Sequence, residues 1–251
     1  MSLIVAIANQ KGGVGKTTTA INLGAALGAL EKKVLLVDCD PQGNATRGVG
    51  EKARFPHLYH VLTGQKEAGA AVRETGFPGL HLLPTDRELV GVEVEFVGTD
   101  GWERRMRGVL REIAGEYDVV FLDCPPSLGH LTVNALVAAD RILVPLQCEY
   151  YALEGISELI ATVRRVQNRL NPELVISGIL LTMYDDRTNL SRDVADEVRT
   201  HFADKVFKTI VPRNVRLAEA PSHGLSILQY DIKSTGARAY LSLAQEVLHQ
   251  L

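Results

Sequence analysis

Short apolar runs alternate along this chain with longer segments whose apolar positions recur at helical spacing. Residues 3–8, 33–38, 80–84, 117–123, 141–146, 174–182 and 206–212 read as strands. Most are apolar without alternation, as strands covered on both faces are. Between them, helical spacing marks residues 20–27, a short piece at 57–62 closed by Thr63 and Gly64, and a second at 67–74. Further helices begin at Arg87 behind a capping Asp86, span 102–114, run to about 170 before Asn171 and Pro172, run to about Phe202, and close the chain over 234–251. Strand and helix in strict alternation predict one α/β domain over residues 1–251: a doubly wound, mostly parallel sheet with helices on both faces. No internal repeat or linker-like stretch interrupts it.

Bulk composition narrows this picture. With 251 residues, 46 % of them hydrophobic, the chain can bury one sizeable core without staples. Cys39, Cys124 and Cys148 are odd in number and lack C-x-x-C spacing, so they read as small buried residues in a reducing cytosol. The first strand starts almost at once, which predicts no signal peptide, and no apolar run approaches membrane-spanning length. A net charge of −3 argues against a globally basic nucleic-acid coat, so any contact with DNA must come from a local patch.

The chemistry concentrates behind the first strand. Residues 9–19 read Asn-Gln-Lys-Gly-Gly-Val-Gly-Lys-Thr-Thr-Thr, between a strand and a helix, the context of a phosphate-binding loop. Gly12, Gly13 and Gly15 free the backbone to turn its N–H groups on an anion around Val14, and the helix from Lys16, Thr17 and Thr18 adds its positive dipole end. Lys16 supplies a charge for the β- and γ-phosphates, and the Thr17 hydroxyl is placed to ligate Mg²⁺.

Two later strands end in acids. Asp38 and Asp40 flank Cys39 ahead of Pro41 and Gly43. Asp123 closes 119–123 ahead of Pro125 and Pro126. In open parallel sheets the carboxyl ends of strands gather ligands, so these acids should lie near the phosphates. Asp123 would hold Mg²⁺ through its water shell, and an acid beside a γ-phosphate can orient the attacking water. An Asx-type turn at 38–40, or a helix cap at 123, is the plainer alternative for each.

Other candidates are weaker. His57 and His60 lie one helical turn apart, but no acid or cysteine in the sequence completes a metal set, and surface histidines on a peripheral helix are the expectation. Arg104, Arg105, Arg107 and Arg111 read as a solvated helix face. Over residues 205–216 every charge is positive: Lys205, Lys208, Arg213 and Arg216. By themselves they fit either ordinary surface cations or a non-specific phosphate-binding surface.

The loop departs from the general G-x-x-x-x-G-K-[ST] pattern by carrying Gln10 where a glycine belongs and an extra lysine, Lys11. In this it resembles the deviant Walker A loop of the MinD/ParA group of dimerising ATPases. The segments D-x-D-P-Q-G-N at 38–44, D-x-P-P-S at 123–127, Q-C-E-Y-Y-A-L-E-G at 147–155 and P-R-N-V-R-L-x-E-A-P-S-H-G at 212–224 resemble the ParA/Soj branch more than MinD. The resemblance implies a P-loop ATPase that closes into a homodimer on ATP and Mg²⁺, with Gly12 where protomers press together and Lys11 reaching the partner's phosphates. It implies Mg²⁺ at Thr17, Asp38 and Asp123, hydrolysis carried by Asp40 with Lys16 and Lys11 neutralising phosphate charge, and adenine beside Pro212 and Asn214. It also implies non-specific binding of double-stranded DNA through Arg187 and Arg216, with Arg213 of the basic stretch beside them, stimulation by a ParB-type centromere-binding protein, and a cytoplasmic, nucleoid-associated location without membrane contact. Hydrolysis should be slow alone, because no arginine finger stands in the motif loops. A MinD-like membrane cycle is the alternative, disfavoured by a cation-poor tail; isolated cysteines disfavour a cluster-carrying reductase.

Overall fold

A computed structural model describes residues 2–249. The elements in chain order are β1 (Leu3–Ile7), α1 (Lys16–Ala29), β2 (Val34–Asp38), α2 (Asn44–Gly48), α3 (Leu58–Leu62), α4 (Ala68–Ala71), β3 (Arg73–Glu74), β4 (Leu80–Leu83), α5 (Val90–Glu95), α6 (Arg105–Ile113), β5 (Val119–Asp123), α7 (His130–Ala138), β6 (Arg141–Gln147), α8 (Ala152–Arg169), β7 (Val175–Thr182), α9 (Asn189–Phe202), α10 (Val215–Glu219), α11 (Ile227–Tyr230) and α12 (Thr235–Leu248). One sheet runs in the order β3-β4-β2-β5-β1-β6-β7. Every pairing is parallel except that of the two-residue edge strand β3 with β4. The predicted doubly wound sheet is therefore present.

Strand alternation divides the core into two layers. Val5, Ile7, Leu36 and Phe121 face α1 and α12, where they meet Ile21, Leu27, Tyr240 and Leu243. Ala6, Val37, Leu122 and Val144 face the other side, toward Leu136, Ile156 and Val198. The register Ile7↔Asp123 and Asp38↔Asp123 aligns the carboxyl ends of β1, β2 and β5. The chain turns from β1 to β2 on one side and reaches β6 on the other, so this end is the crevice where such sheets bind ligands.

α1 lies very close to the turn before β4. A Cβ added at Gly28 would sit 2.2 Å from the backbone oxygen of Pro78, which cannot rotate away. Gly→Ala in a helix interior normally stabilises by up to about 1 kcal/mol. At Gly28 the sign should reverse, with a loss on the order of 2–4 kcal/mol in urea unfolding. Equal or greater stability of Gly28→Ala would refute this packing.

Three predicted elements differ. Residues 206–212 do not form a strand: they meet β7 and the loop after it through the isolated bridges Ile179↔Val206 and Tyr184↔Pro212 and through single bonds such as that of the Val211 N–H to the Leu181 carbonyl at 2.9 Å. The backbone N–H groups of Lys208 and Thr209 donate instead to the Glu246 carboxylate of α12, at 2.7 and 3.0 Å. The helix expected over 67–74 is one turn, α4, and Arg73 and Glu74 leave it to pair with β4. The phosphate-loop helix starts at Lys16, ahead of the apolar spacing that marked it. The chain-closing helix ends at Leu248, and residues 250 and 251 lie outside the described residues.

Candidate functional site

The loop between β1 and α1 takes the shape its glycines allow. Gly13 and Gly15 are left-handed, with φ of 74° and 89°, whereas Gly12 is not. A Cβ at Gly12 would meet nothing nearer than Pro126 at 4.0 Å. Two long-range bonds and one local one hold the loop: the Asn9 amide donates to the Pro145 carbonyl at 2.8 Å, the Thr182 hydroxyl donates to the Val14 carbonyl at 2.8 Å, and the Asn9 oxygen accepts from the Lys11 N–H at 3.0 Å. No side chain caps α1, so its first N–H groups stay available to an anion.

A cavity of about 350 Å³ opens above this helix end, with Lys16, Thr17, Asp40, Gln42, Asn44 and Pro126 on its walls. Lys16 is only 7 % exposed, and its ammonium donates to the Lys11 carbonyl at 3.0 Å. Burial lowers its pKa, and Asp123, Cys124 and Asp40 oppose that effect. Asp40 accepts the Gln42 N–H at 2.9 Å, which aims its carboxyl at the cavity. Arg47, which the sequence did not single out, braces the same turn by donating to the Gln42 carbonyl and the Asn44 oxygen at 2.7 and 2.8 Å.

The two strand-end acids differ in their partners. Asp38 Oδ2 accepts both the N–H and the hydroxyl of Thr46, each at 2.7 Å, so Thr46 fixes this carboxylate. Both oxygens of Asp123 are buried with no hydrogen-bond partner. Burial pushes Asp38 up to about 7 and Asp123 well above the ordinary carboxylate range, and each acid's negative neighbours add to the effect. Two buried acids, one with both oxygens unsatisfied, are what a divalent cation and its waters would complete. Thr17 fits Mg²⁺ directly, and Asp123 fits it through the ion's water shell. Asp38, tied to Thr46, fits a supporting place behind it.

A second cavity of about 410 Å³ joins the first through Gly15, Thr18 and Met183. Pro212 and Asn214, which the resemblance places beside adenine, lie on its wall. Thr182, Val211, Leu217 and Tyr240, which sequence reading did not find, make the rest largely apolar. Asn214 caps α10 by accepting the Leu217 N–H at 3.3 Å and donates to the Thr235 hydroxyl at 2.6 Å. A slot of this size and polarity suits a purine base beside a phosphate cradle.

Lys11 turns away from its own cavity. Its ammonium pairs with Glu149 at 2.9 Å, and Glu149 also accepts from the Gln147 amide. Tyr150 and Tyr151, 77 % and 64 % exposed, follow directly. On the basic side, Arg187 is exposed but binds Asp185 through two nitrogens, at 2.8 and 2.6 Å, and holds that carboxyl down at about 2. Arg216 pairs with Glu219 at 2.9 Å and lies 3.7 Å from Asp231. Arg213 is exposed.

The histidines overturn their expectation. His57 and His60 are buried, at 2 % and 9 % exposure, and Glu88 completes a set of three possible ligand atoms within 4.8 Å. The missing acid comes from a helical turn beyond β4, far along the chain from the histidines. His60 Nδ1 accepts the His57 backbone N–H at 3.4 Å, which leaves the proton of a neutral ring on Nε2, the atom facing Glu88. A ligating nitrogen must be bare, so this cluster is read as a hydrogen-bonded cap joining α3 to residues 87–89. All three cysteines are free and buried as expected.

A glycine loop on the end of a central parallel strand, an uncapped helix behind it and an unsatisfied strand-end acid define a P-loop nucleotide-binding protein of the α/β class. A family model described as an AAA domain matches residues 2–176. The sporulation initiation inhibitor protein Soj of Bacillus subtilis is 53 % identical over 249 residues, 98 % of each chain. The chromosome partitioning protein ParA of Caulobacter vibrioides is 53 % identical over 249 residues, covering 98 % of this chain and 93 % of that one. Among solved structures, cobyrinic acid a,c-diamide synthase from Mycobacterium smegmatis with bound ADP and magnesium superposes with a TM-score of 0.88 at 40 % identity, covering 100 % of this chain and 95 % of that one. The chain belongs to the Soj/ParA family of chromosome-partitioning ATPases.

Proposed function

We propose that this protein is an ATP-driven dimerising switch of DNA segregation. The carrying observation is Lys11: a second lysine on the phosphate loop, its ammonium held at the surface by Glu149 and unused by its own cavity. Such a cation is placed to serve the phosphates of a second copy. The cradle at residues 12–18 would hold the triphosphate, and Thr17 and Asp123 the Mg²⁺, with Asp38 behind. When bound, Mg²⁺ supplies charge neutralisation on the transferred phosphoryl group. Two protomers would close with Gly12 against Gly12 and Lys11 reaching across, because two lysines balance a γ-phosphate better than one. Asp40 would orient water, and loss of the γ-phosphate would remove what Lys11 holds. A ParB-type partner would accelerate that slow step.

The closed dimer would present the cations of both copies to double-stranded DNA, and doubling the phosphate contacts raises both affinity and salt dependence. α12 supports this over a membrane cycle: Leu243 and Val247 are buried in the layer with α1 and Leu241 and Leu248 pack partly against it, so among the described residues α12 turns its apolar side to the core. Among the described residues no helix is long and apolar enough to cross a membrane.

Co-sedimentation with DNA in ADP, ATP and a non-hydrolysable analogue tests the reading. DNA should pellet the protein with ATP or the analogue and not with ADP; pelleting on vesicles instead of DNA would favour the membrane cycle. Arg216→Glu should keep nucleotide binding and weaken DNA retention at least tenfold at low salt, roughly the effect of losing phosphate contacts in both protomers. An unchanged gel shift would remove Arg216 from the DNA surface.

A further inference from the structure

We infer that the DNA backbone lies in the groove between Lys208 and Arg238, a surface the family motifs do not mark; this rests on the DNA-binding reading above. Two of the three arginines expected at the DNA surface are already engaged, Arg187 by Asp185 and Arg216 by Glu219. Lys208 and Arg238 are exposed and form no ion pair among the described residues. They face an open groove of about 440 Å³ that also exposes Thr235 and Ser242. On α12, Thr235, Arg238 and Ser242 fall on one side at helical spacing. Glu246, next to this groove, is held by the backbone N–H groups of Lys208 and Thr209.

The lining fits a sugar-phosphate chain. Cations and hydroxyls suit phosphate oxygens, and the floor of Ile210, Pro212 and Ala239 suits the C–H edges of deoxyribose. No Asn, Gln, Asp or Glu lines the groove to read adenine or cytosine, and its cations and hydroxyls suit backbone contacts that carry no sequence information. Uncompensated cations also give up less on binding a phosphate than cations that must first leave a carboxylate.

The groove shares a wall with the base slot. Pro212 borders both cavities, and Thr235, on the groove, accepts the hydrogen bond of Asn214, on the slot. A base seated against Pro212 and Asn214 therefore bears on the DNA groove through one residue and one hydrogen bond. This gives the bound nucleotide a route to the DNA surface within a protomer, in addition to dimerisation.

The test measures DNA affinity of the full chain with a non-hydrolysable ATP analogue across a salt series, for wild type, K208A/R238A and the charge-keeping K208R/R238K. Alanine suits a helix surface, and thermal melts check that each variant is folded. K208A/R238A should bind roughly tenfold or more weakly at 0.1 M salt, and its log-affinity against log-salt slope should flatten by about two per protomer engaged. K208R/R238K should stay within about threefold of wild type, because the charge at each phosphate contact is kept. Wild-type affinity and slope in K208A/R238A, or equal losses in both variants, would overturn the assignment. Wild type that fails to bind DNA in any nucleotide state would instead overturn the DNA-binding reading beneath it.

Discussion

Asp40→Ala should lose ATP turnover by at least about a hundredfold, the usual worth of a positioned general base, while keeping ATP-dependent dimerisation and DNA binding. The expectation follows from where Asp40 stands. It lines the phosphate cavity, is 8 % exposed, and its carboxyl is oriented by one backbone N–H of its own turn. It anchors neither α1 nor the glycine loop, so removing it takes away a water-orienting group and leaves the cradle intact. Phosphate-release and light-scattering assays on one preparation separate the two effects. If DNA binding vanished while ATP binding and dimerisation survived, the order of steps would be wrong. Substantial residual turnover would move the water-orienting role elsewhere on the loop.

Asp123→Asn should stabilise the ligand-free protein and abolish its response to Mg²⁺ and nucleotide. Both oxygens of Asp123 are buried without partners, a cost the fold bears in the absence of a cation. Neutralising that charge should return on the order of 1–3 kcal/mol, a rise of several degrees in melting temperature for a chain of this size. The sign with pH follows from the raised folded-state pKa values of Asp38, about 7, and Asp123, higher than an ordinary carboxylate. Their stabilising contribution is complete below the unfolded carboxylate range near 4 and is lost as pH climbs through the folded values. The advantage of Asp123→Asn over wild type should therefore widen from pH 5 to pH 8. In wild type, ligand at about a hundred times its dissociation constant adds about 2.7 kcal/mol, and the variant should show almost none. A variant no more stable than wild type at pH 8, or one that still responds fully to Mg²⁺ with nucleotide, would deny Asp123 its place.

What was legible in the sequence was local. The glycine loop, its lysine and threonine, and the strand-end acids carry their meaning within a few residues, and the apolar runs gave the parallel sheet class whose carboxyl ends bring such residues together, though not its strand order. What was not legible depended on distant side chains. Residues 206–212 have strand composition, but Glu246, more than thirty positions away, takes two of the N–H groups a ladder would need. Tyr240 and Thr182 reach the base slot only through the packing of α12 and the end of β7. Which strand-end acid is tied to the protein was also not legible: Thr46 holds Asp38, whereas both oxygens of Asp123 are without a hydrogen-bond partner. His57 and His60 looked like surface residues because the acid that engages them lies far along the chain, beyond β4.

The most direct test of the nucleotide switch is the mass of Asp40→Ala by light scattering, with ADP and with ATP at the same protein concentration. The account predicts a monomer with ADP and a dimer with ATP, and a monomer with either once Lys11→Ala is added. The same mass with both nucleotides in Asp40→Ala would contradict it.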